Sequence, residues 1–421
     1  MYQKVKGTQD FIGLEAKKLR YVESKIRSVI EKYGYEEIIT PIFENTEVFV
    51  RSAGEESDIV SKEMYTFSDK GGRSLTLRPE GTAPVVRSFL ENKLYAQRNL
   101  NKFYYFGPMF RYERPQAGRF REFNQFGIET FGTSSPLLDA DVIISGTEIF
   151  NALGIKNIKL KINTIGDFPS RTAYAKLLQD YFRNNISSLC RDCNRRLEKN
   201  PLRILDCKID KDNPVLKNAP KIDTVLSDEA KIYFQSVIDI LDAYGVNYEV
   251  DRNLVRGLDY YTDTVFEYIL DSNDELGGLA ICAGGKYSDM VKSFKGPDIP
   301  GIGYAFGIER IIAIMDLQNL FPALETGADI VLIGLDEKAK EKTLLYANKL
   351  RMAGFYAEMD YVNINLKPQF KLSDQLQAKY LIIIGEEELN NKVLTVKNNT
   401  TKEQESIPED RMIDYFKEKI K

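Results

Sequence analysis

No histidine occurs anywhere in this chain of 421 residues. That absence removes Ser-His-Asp triads, imidazole general bases and every zinc motif that needs an imidazole. Any catalysis must rest on arginine, carboxylates, amides, hydroxyls or a bound metal. Only four cysteines are present, too few for a disulfide framework in a chain this long, so the expectation is a reducing, cytoplasmic setting. No apolar run reaches the length of a membrane span, and the opening residues (MYQKVKGTQDF) lack a signal-peptide core. An excess of one charge is missing too. The formal net charge of −4 is no global signature of a nucleic-acid binder, so contact with nucleic acid must come from local patches.

What is present describes a globular protein, with 43% hydrophobic and 29% charged residues and length for roughly two or three domains. Leu19, Val22, Ile26, Ile30 and Tyr33 recur at spacings of three and four, predicting an amphipathic helix over 15–33 capped by Gly34. Residues 37–43 read as a strand interrupted by Pro41, suited to an edge or interface. A short strand at 75–77 leads through Arg78-Pro79-Glu80-Gly81-Thr82 into a helix over 83–95. Residues 139–153 read as a helix and 158–165 as a strand. From about 168 to 245 the texture turns helical and charged, an insertion holding Cys190, Cys193 and Cys207. Strands return at 248–250, 264–270, 279–282 and 301–307, followed by a helix at 308–317. After a linker at 322–327 the pattern becomes β-α-β-α-β, the mark of a separate small α/β domain.

Residues 110–132 (FRYERPQAGRFREFNQFGIETFG) say most about chemistry. Two apolar-alternating runs flank a loop with Arg114, Arg119 and Arg121; Arg111 and Glu113 end the first run, and Gln125 and Glu129 alternate along the second. Arginine's planar fork matches phosphate, while carboxylates hold amines or orient arginines. A solvated sheet with cross-strand Arg–Glu pairs would show the same pattern. Standard nucleotide loops are absent: Tyr287 follows Gly285-Lys286 where a phosphate loop needs Ser or Thr, and Gly301, Gly303 and Gly307 have the wrong spacing for a dinucleotide fingerprint.

These segments together resemble the class II aminoacyl-tRNA synthetases, and specifically the histidyl-tRNA synthetase family. Residues 34–49 resemble the first class motif, with Pro41 at the dimer-interface position. Residues 110–132 resemble the second motif and 301–311, with Arg310, the third. LRPEGTA (77–83), RGLDYY (256–261) and CAGG (282–285) are similar to the histidine-specific signatures. Lys286 and Ser288 depart from the usual Gly-Gly-Arg-Tyr-Asp segment, and Tyr112 and Asn124 stand where histidine is frequent.

The resemblance implies an α+β/α/β multidomain fold. An antiparallel-sheet catalytic domain would span 1–325, with the helical insertion at about 168–245, and a mixed α/β anticodon-binding domain would span 326–421. It also implies a homodimer that uses ATP and Mg2+ to activate histidine and transfers it to tRNA(His), with no membrane partner. Arg111 would contact the α-phosphate of ATP, Arg310 the γ-phosphate, and Arg256 the α-phosphate from the substrate side, with Glu113 also at the nucleotide. Glu80, Thr82 and Gln125 would hold the α-amino group of histidine. Gly81, Glu129, Tyr260 and Tyr261 complete that pocket, with Glu129 and Tyr261 meeting the two ring nitrogens.

For tRNA, Arg119 and Arg121 are candidates in the hairpin loop, and Lys367 and Lys371 in the C-terminal domain. Residues 325–421 hold 15 Lys/Arg against 17 Asp/Glu, so the anticodon role rests on resemblance rather than charge. The alternative is a non-catalytic, histidine-sensing regulatory paralogue acting on an ATP phosphoribosyltransferase. Such paralogues lack the C-terminal domain and erode the ATP contacts. No metal ligand is assigned: Cys190-x-x-Cys193 lacks a partner pair, and a fourth ligand beside Cys207 would have to be Cys282 or a carboxylate.

Overall fold

The computed structural model describes residues 2–54, 57, 59–115, 118–207, 209–256, 260–273, 276–324 and 327–420. The chain forms two compact units, Met1–Pro322 and Ala323–Lys421. Glu325 and Thr326, where the sequence suggested the domain boundary, lie outside the described residues, as do Gly257, Leu258 and Asp259 of the RGLDYY segment.

In the first unit the strands are β1 (Glu36–Glu37), β2 (Phe43–Asn45), β3 (Tyr65–Ser68), β4 (Ser74–Leu77), β5 (Asn101–Phe110), β6 (Glu122–Phe131), β7 (Ile158–Thr164), β8 (Tyr248–Val250), β9 (Thr262–Leu270), β10 (Ala280–Tyr287) and β11 (Gly301–Gly307). The helices are α1 (Leu14–Ile30), α2 (Thr46–Ala53), α3 (Thr82–Glu91), α4 (Pro136–Leu153), α5 (Phe168–Arg183), α6 (Arg191–Lys199), α7 (Pro214–Lys217), α8 (Asp228–Tyr244), α9 (Met290–Ser293) and α10 (Ile308–Leu317). Eight strands make one sheet in the order β1-β5-β6-β11-β10-β9-β7-β8, antiparallel except for the parallel outer pairs β1/β5 and β7/β8. A separate three-stranded sheet runs β2-β4-β3.

The segment 37–43 is therefore not one strand. Pro41 has no N–H to give a ladder, and the chain leaves the large sheet at Glu37 and enters the small one at Phe43. The helix expected to reach Tyr95 stops at Glu91, where Lys93 takes a left-handed φ of 52°.

α1 buries Leu19, Val22, Ile26 and Ile30, each contributing about 1.5–3 kcal/mol relative to exposure. After a short 3-10 turn, Gly34 ends it at φ 77°, a conformation that glycine adopts without Cβ strain. α1, α4, α8 and α10 supply the core on one face of the large sheet, against Phe126, Ile128, Tyr304 and Phe306. The opposite face, with Tyr105, Phe131, Val265 and Tyr287, packs against α3 and the insertion helices α5 and α6. Because side chains alternate along a strand, this second face carries Gln125 and Glu129. No helix among the described residues is long and apolar enough to cross a membrane.

The second unit holds β12 (Ile330–Gly334), β13 (Ala357–Met359), β14 (Tyr380–Ile384), β15 (Val393–Asn398) and β16 (Gln404–Pro408), with helices α11 (Glu337–Met352), α12 (Leu366–Gln375), α13 (Glu386–Asn391) and α14 (Met412–Lys419). β13-β12-β14 are parallel and β14-β15-β16 antiparallel. The β-α-β-α-β reading covered the parallel part. It stopped short of the β15–β16 hairpin and α14, whose polar linking segment NNTTKEQ masks the strand alternation.

Candidate active site

A cavity of about 640 Å³ opens over the second face of the large sheet. Its floor is low because β11 offers only Gly303, Ala305 and Gly307 on that side. A Cβ on Gly303 would sit 2.4 Å from Glu129 Oε2 and 2.1 Å from the Ile128 carbonyl. The glycine therefore makes room for the carboxylate.

Two buried carboxyl groups line the cavity. Glu80 lies just before α3 and accepts from the backbone N–H groups of Thr82 (2.7 Å) and Ala83 (2.9 Å), satisfying donors the helix start leaves open. Glu129 Oε1 accepts from the Thr82 hydroxyl at 2.6 Å, and its Oε2 accepts from Tyr287 Oη. Burial pushes the Glu129 carboxyl up to about 8, against the pull of those two donors and with the help of nearby Glu80. Burial raises Glu80 as well, opposed by its backbone donors. Tyr105 lies across Gly81 and Gly127, whose added Cβ atoms would meet its ring at 2.2 Å and its hydroxyl at 2.3 Å. That hydroxyl donates to Gln125 Oε1 at 3.2 Å.

A cationic cluster lines the same cavity. Arg111 donates Nε to the Pro79 carbonyl (2.8 Å) and stands over the Phe123 ring. Glu113 pairs with Arg119 at 3.2 Å and more loosely with Arg111 at 3.9 Å. Arg310 donates to the carbonyls of Ala280 and Gly118, the latter at 3.2 Å. Burial lowers the Arg310 pKa, with Arg119 and Arg111 adding repulsion that Glu113 only partly offsets. Three arginines thus share one interleaved carboxylate, an arrangement that a polyanion would relieve.

Arg256 forms the third wall, paired with Glu267 on β9 and set against the Tyr261 ring. Among the described residues, Arg256 Nε, Arg310 Nε and Glu309 Oε2 are buried cavity-lining atoms with no hydrogen-bond partner.

The structure brings Glu80, Thr82, Arg111, Glu113, Arg119, Gln125, Glu129, Arg256, Tyr260, Tyr261 and Arg310 into this one cavity. Arg121 is not among them: it donates Nε to the Glu113 carbonyl at 3.2 Å and stacks on Tyr112 at 4.3 Å, anchoring the loop. Lys367 and Lys371 are exposed on α12 in the second unit. Lys379, beyond the end of α12, pairs with Asp329 at 3.0 Å.

Sequence reading missed Tyr105, Glu267, Tyr287 and Glu309. Alternation could have found two of them, since Tyr287 shares a strand face with Gly285, and Glu267 with Val265. Lys286, the departure from the usual family segment, pairs with Ser134 and Asp263 and is not among the residues lining the cavity. The insertion also reaches the site: Arg203, Asp206 and Ile209 line the cavity, and Arg203 Nη1 donates to the Arg256 carbonyl at 3.4 Å.

Comparison with known proteins agrees with this geometry. Residues 7–311 match the family model described as histidyl-tRNA synthetase. The chain belongs to that family. Residues 329–419 match an anticodon binding domain, so the fold is a class II synthetase catalytic body followed by an anticodon-binding domain. A histidine–tRNA ligase of Geobacillus sp. (strain WCH70) is 47% identical over 420 residues, covering 100% of this chain and 99% of the relative. One from Bacillus licheniformis is 48% identical over 414 residues, covering 98% and 97%. The crystal structure of apo S. aureus histidyl-tRNA synthetase superimposes with a TM-score of 0.85 at 40% identity, over 99% of this chain and all of that one.

Proposed function

We propose that this chain is a histidine–tRNA ligase: it joins histidine to ATP as histidyl-adenylate, releasing pyrophosphate, and passes the histidine to the 3′ end of tRNA(His). The observation that carries the reading is one cavity lined both by Arg111, Arg119 and Arg310 and by the buried Glu80 and Glu129. A triphosphate suits the arginines and an amine with an imidazole the carboxyl groups.

Arg111 and Arg256 hold the α-phosphate and Arg310 the γ-phosphate, with Glu113 orienting the arginines. Glu80, Thr82 and Gln125 surround the α-amino group. Each Glu129 oxygen keeps a lone pair beyond its present bond, enough to accept from a ring N–H. Tyr261 offers its hydroxyl at the other ring nitrogen, with Gly81 and Tyr260 closing the pocket. A site built from such buried polar groups rejects amino acids that leave them unpaired.

The substrate carboxylate attacks the α-phosphorus and the bond to pyrophosphate breaks. Positioning and the arginine charges lower this barrier without a protein nucleophile or a histidine. A ribose hydroxyl of the terminal adenosine then attacks the adenylate carbonyl and AMP leaves. Mg2+, a hard cation that takes oxygen ligands, fits the donors present: Glu309 Oε2 is a buried carboxylate oxygen without a partner at the cavity. It would sit there with the phosphates, neutralising their charge.

The chain works as a cytoplasmic homodimer in this reading. The β2-β4-β3 sheet supports the dimer, because Phe43, Leu77 and Tyr65 lie directly opposite one another and Phe43 and Phe67 are exposed. Four cysteines without a disulfide support a reducing compartment. Lys367 and Lys371 on α12 are the proposed tRNA contacts of the second unit, and Arg119, at the cavity, that of the acceptor end. The non-catalytic alternative is disfavoured by the retained anticodon-binding segment and by all three phosphate arginines in one cavity. ATP–pyrophosphate exchange across the amino acids tests the reading: histidine alone should drive it, and exchange with a different amino acid, or none with histidine, overturns it.

A further inference from the structure

The helical insertion holds a second constellation, of which Cys207 also lines the cavity. Cys190 immediately precedes α6 and Cys193 lies in its first turn; Cys207 and Asp210 follow the 3-10 turn Pro201–Ile204. In order they form two half-pairs, Cys190-x-x-Cys193 and Cys207-x-x-Asp210, separated by residues 194–206. The sequence left the fourth ligand open between Cys282 and a carboxylate. Folding supplies it as Asp210, whereas Cys282 lies apart in the sheet core.

The four ligand atoms all lie within 4.8 Å of one another. Cys190 Sγ and Cys207 Sγ are 3.7 Å apart, and Cys207 Sγ is 3.5 Å from Asp210 Oδ2. Two sulfurs about 2.3 Å from a tetrahedral zinc stand about 3.8 Å apart, and a sulfur and a carboxylate oxygen about 3.5 Å apart. A disulfide would instead need its sulfurs at about 2.05 Å. The spacing is that of ligands around an ion. The ligands are also held from behind: the Cys190 N–H donates to Asp210 Oδ2 at 2.9 Å, and the Asp210 N–H to Cys207 Sγ at 3.4 Å.

We propose that Cys190, Cys193, Cys207 and Asp210 bind one zinc ion as a structural clip in the insertion. Three soft thiolates select a thiophilic metal, and the single hard carboxylate favours zinc over copper(I). Four protein ligands leave no open position, so the ion is structural rather than catalytic. On binding, the three thiols lose their protons to solvent and each sulfur gives an electron pair to the metal. Three thiolates and a carboxylate around zinc carry two net negative charges, and α6 brings Arg191, Arg195 and Arg196 to the same segment. The clip ties α6 to the turn that carries Arg203, the residue that supports the Arg256 backbone. Loss of the metal therefore loosens one wall of the active-site cavity while leaving the arginine hairpin in place.

The test is elemental analysis of the full-length protein purified without chelator, with Cys207→Ser, Cys190→Ser and Cys282→Ser beside it. About one zinc per chain is expected in the parent and in Cys282→Ser, and loss of it in the other two. Cobalt(II) in place of zinc should give the strong visible absorption of a tetrahedral site with sulfur-to-metal charge transfer, so the parent alone decides if a serine variant fails to fold. A parent protein that takes up neither ion when reduced and supplied with zinc overturns the proposal. So does a native Cys190–Cys207 disulfide found by mass spectrometry, or zinc that persists in both Cys190→Ser and Cys207→Ser.

Discussion

The Thr82 hydroxyl donates to Glu129 Oε1 at 2.6 Å, tying the first turn of α3 to the C-terminal part of β6 inside the proposed histidine pocket. The same threonine gives its backbone N–H to Glu80, so one residue positions both buried carboxyl groups. Thr82→Val keeps the shape and removes the donor. A buried acceptor left short of a partner costs about 1–3 kcal/mol. The expected result is a lower melting temperature together with a raised KM for histidine and little change in KM for ATP. An equal rise in both constants would detach Thr82 from amino-acid recognition.

Glu129 also makes stability depend on pH. Burial lifts its carboxyl from the ordinary glutamate value of 4.5 to about 8 in the folded protein. Between those values the folded chain keeps a proton that the unfolded chain has lost, so stability falls as pH rises through this window and levels off above it. Glu129→Gln stays neutral throughout. Its melting temperature should gain on the parent as pH rises from about 5 to about 8, even as histidine-dependent exchange is lost. Thermal unfolding at a series of pH values checks this, and a difference that is flat with pH would refute the role of Glu129.

Much of this site was legible before folding because its elements are long and periodic. The alternation along 122–131 put Gln125 and Glu129 on one face, and Gly34 marked a helix end where the structure has a left-handed glycine. Long-range partners carried no such signal. Nothing local to Tyr287 says that its hydroxyl meets Glu129, 158 positions earlier. Nothing around Cys207 announces that Asp210 turns toward Cys190. Residues 37–43 show the opposite limit: their apolar content suggested one strand, but Pro41 divides them between two sheets. Periodicity reports a face, while the partner across that face is set by topology.

Arg256 is buried against Glu267, so its substitutions separate charge from geometry. Arg256→Ala leaves Glu267 without its cation, and breaking one side of a buried pair costs about 3–5 kcal/mol. That variant should be destabilised as well as inactive. Arg256→Lys keeps the charge but loses the planar fork needed for a phosphate. It should fold near the parent stability and still lose most pyrophosphate exchange. Normal exchange in a stable Arg256→Lys protein would remove Arg256 from the phosphate contacts.

Gly303 sets the depth of the pocket floor. Its added methyl would lie 2.4 Å from Glu129 Oε2 and 2.1 Å from the Ile128 carbonyl, one contact with a bonded carboxylate and one with backbone. Neither can retreat freely. Gly303→Ala should cost about 1–3 kcal/mol through overpacking and displace Glu129, so histidine binding weakens along with stability. Calorimetric titration with histidine measures this, and unchanged affinity would mean that Glu129 is not where histidine binds.

The small β2-β4-β3 sheet offers the last test. Phe43 faces Leu77 and Tyr65 across the strands, and Phe67 faces Leu75. Phe43 is 52% exposed and Phe67 44%, an apolar sheet face that a second copy would cover. The same sheet touches the active-site hairpin, because the Tyr65 ring packs edge-on against Tyr112 at 5.6 Å and Tyr112 carries Arg121 on its face. A charge placed on this surface opposes association without entering the core of the chain. Phe43→Asp should therefore sediment as a monomer with its own thermal unfolding transition. It should also lose exchange activity, since the uncovered sheet no longer braces the Tyr112 loop. A Phe43→Asp protein that stays dimeric places the interface elsewhere. A monomer with full activity keeps the interface but breaks the link from Tyr65 through Tyr112 to the site.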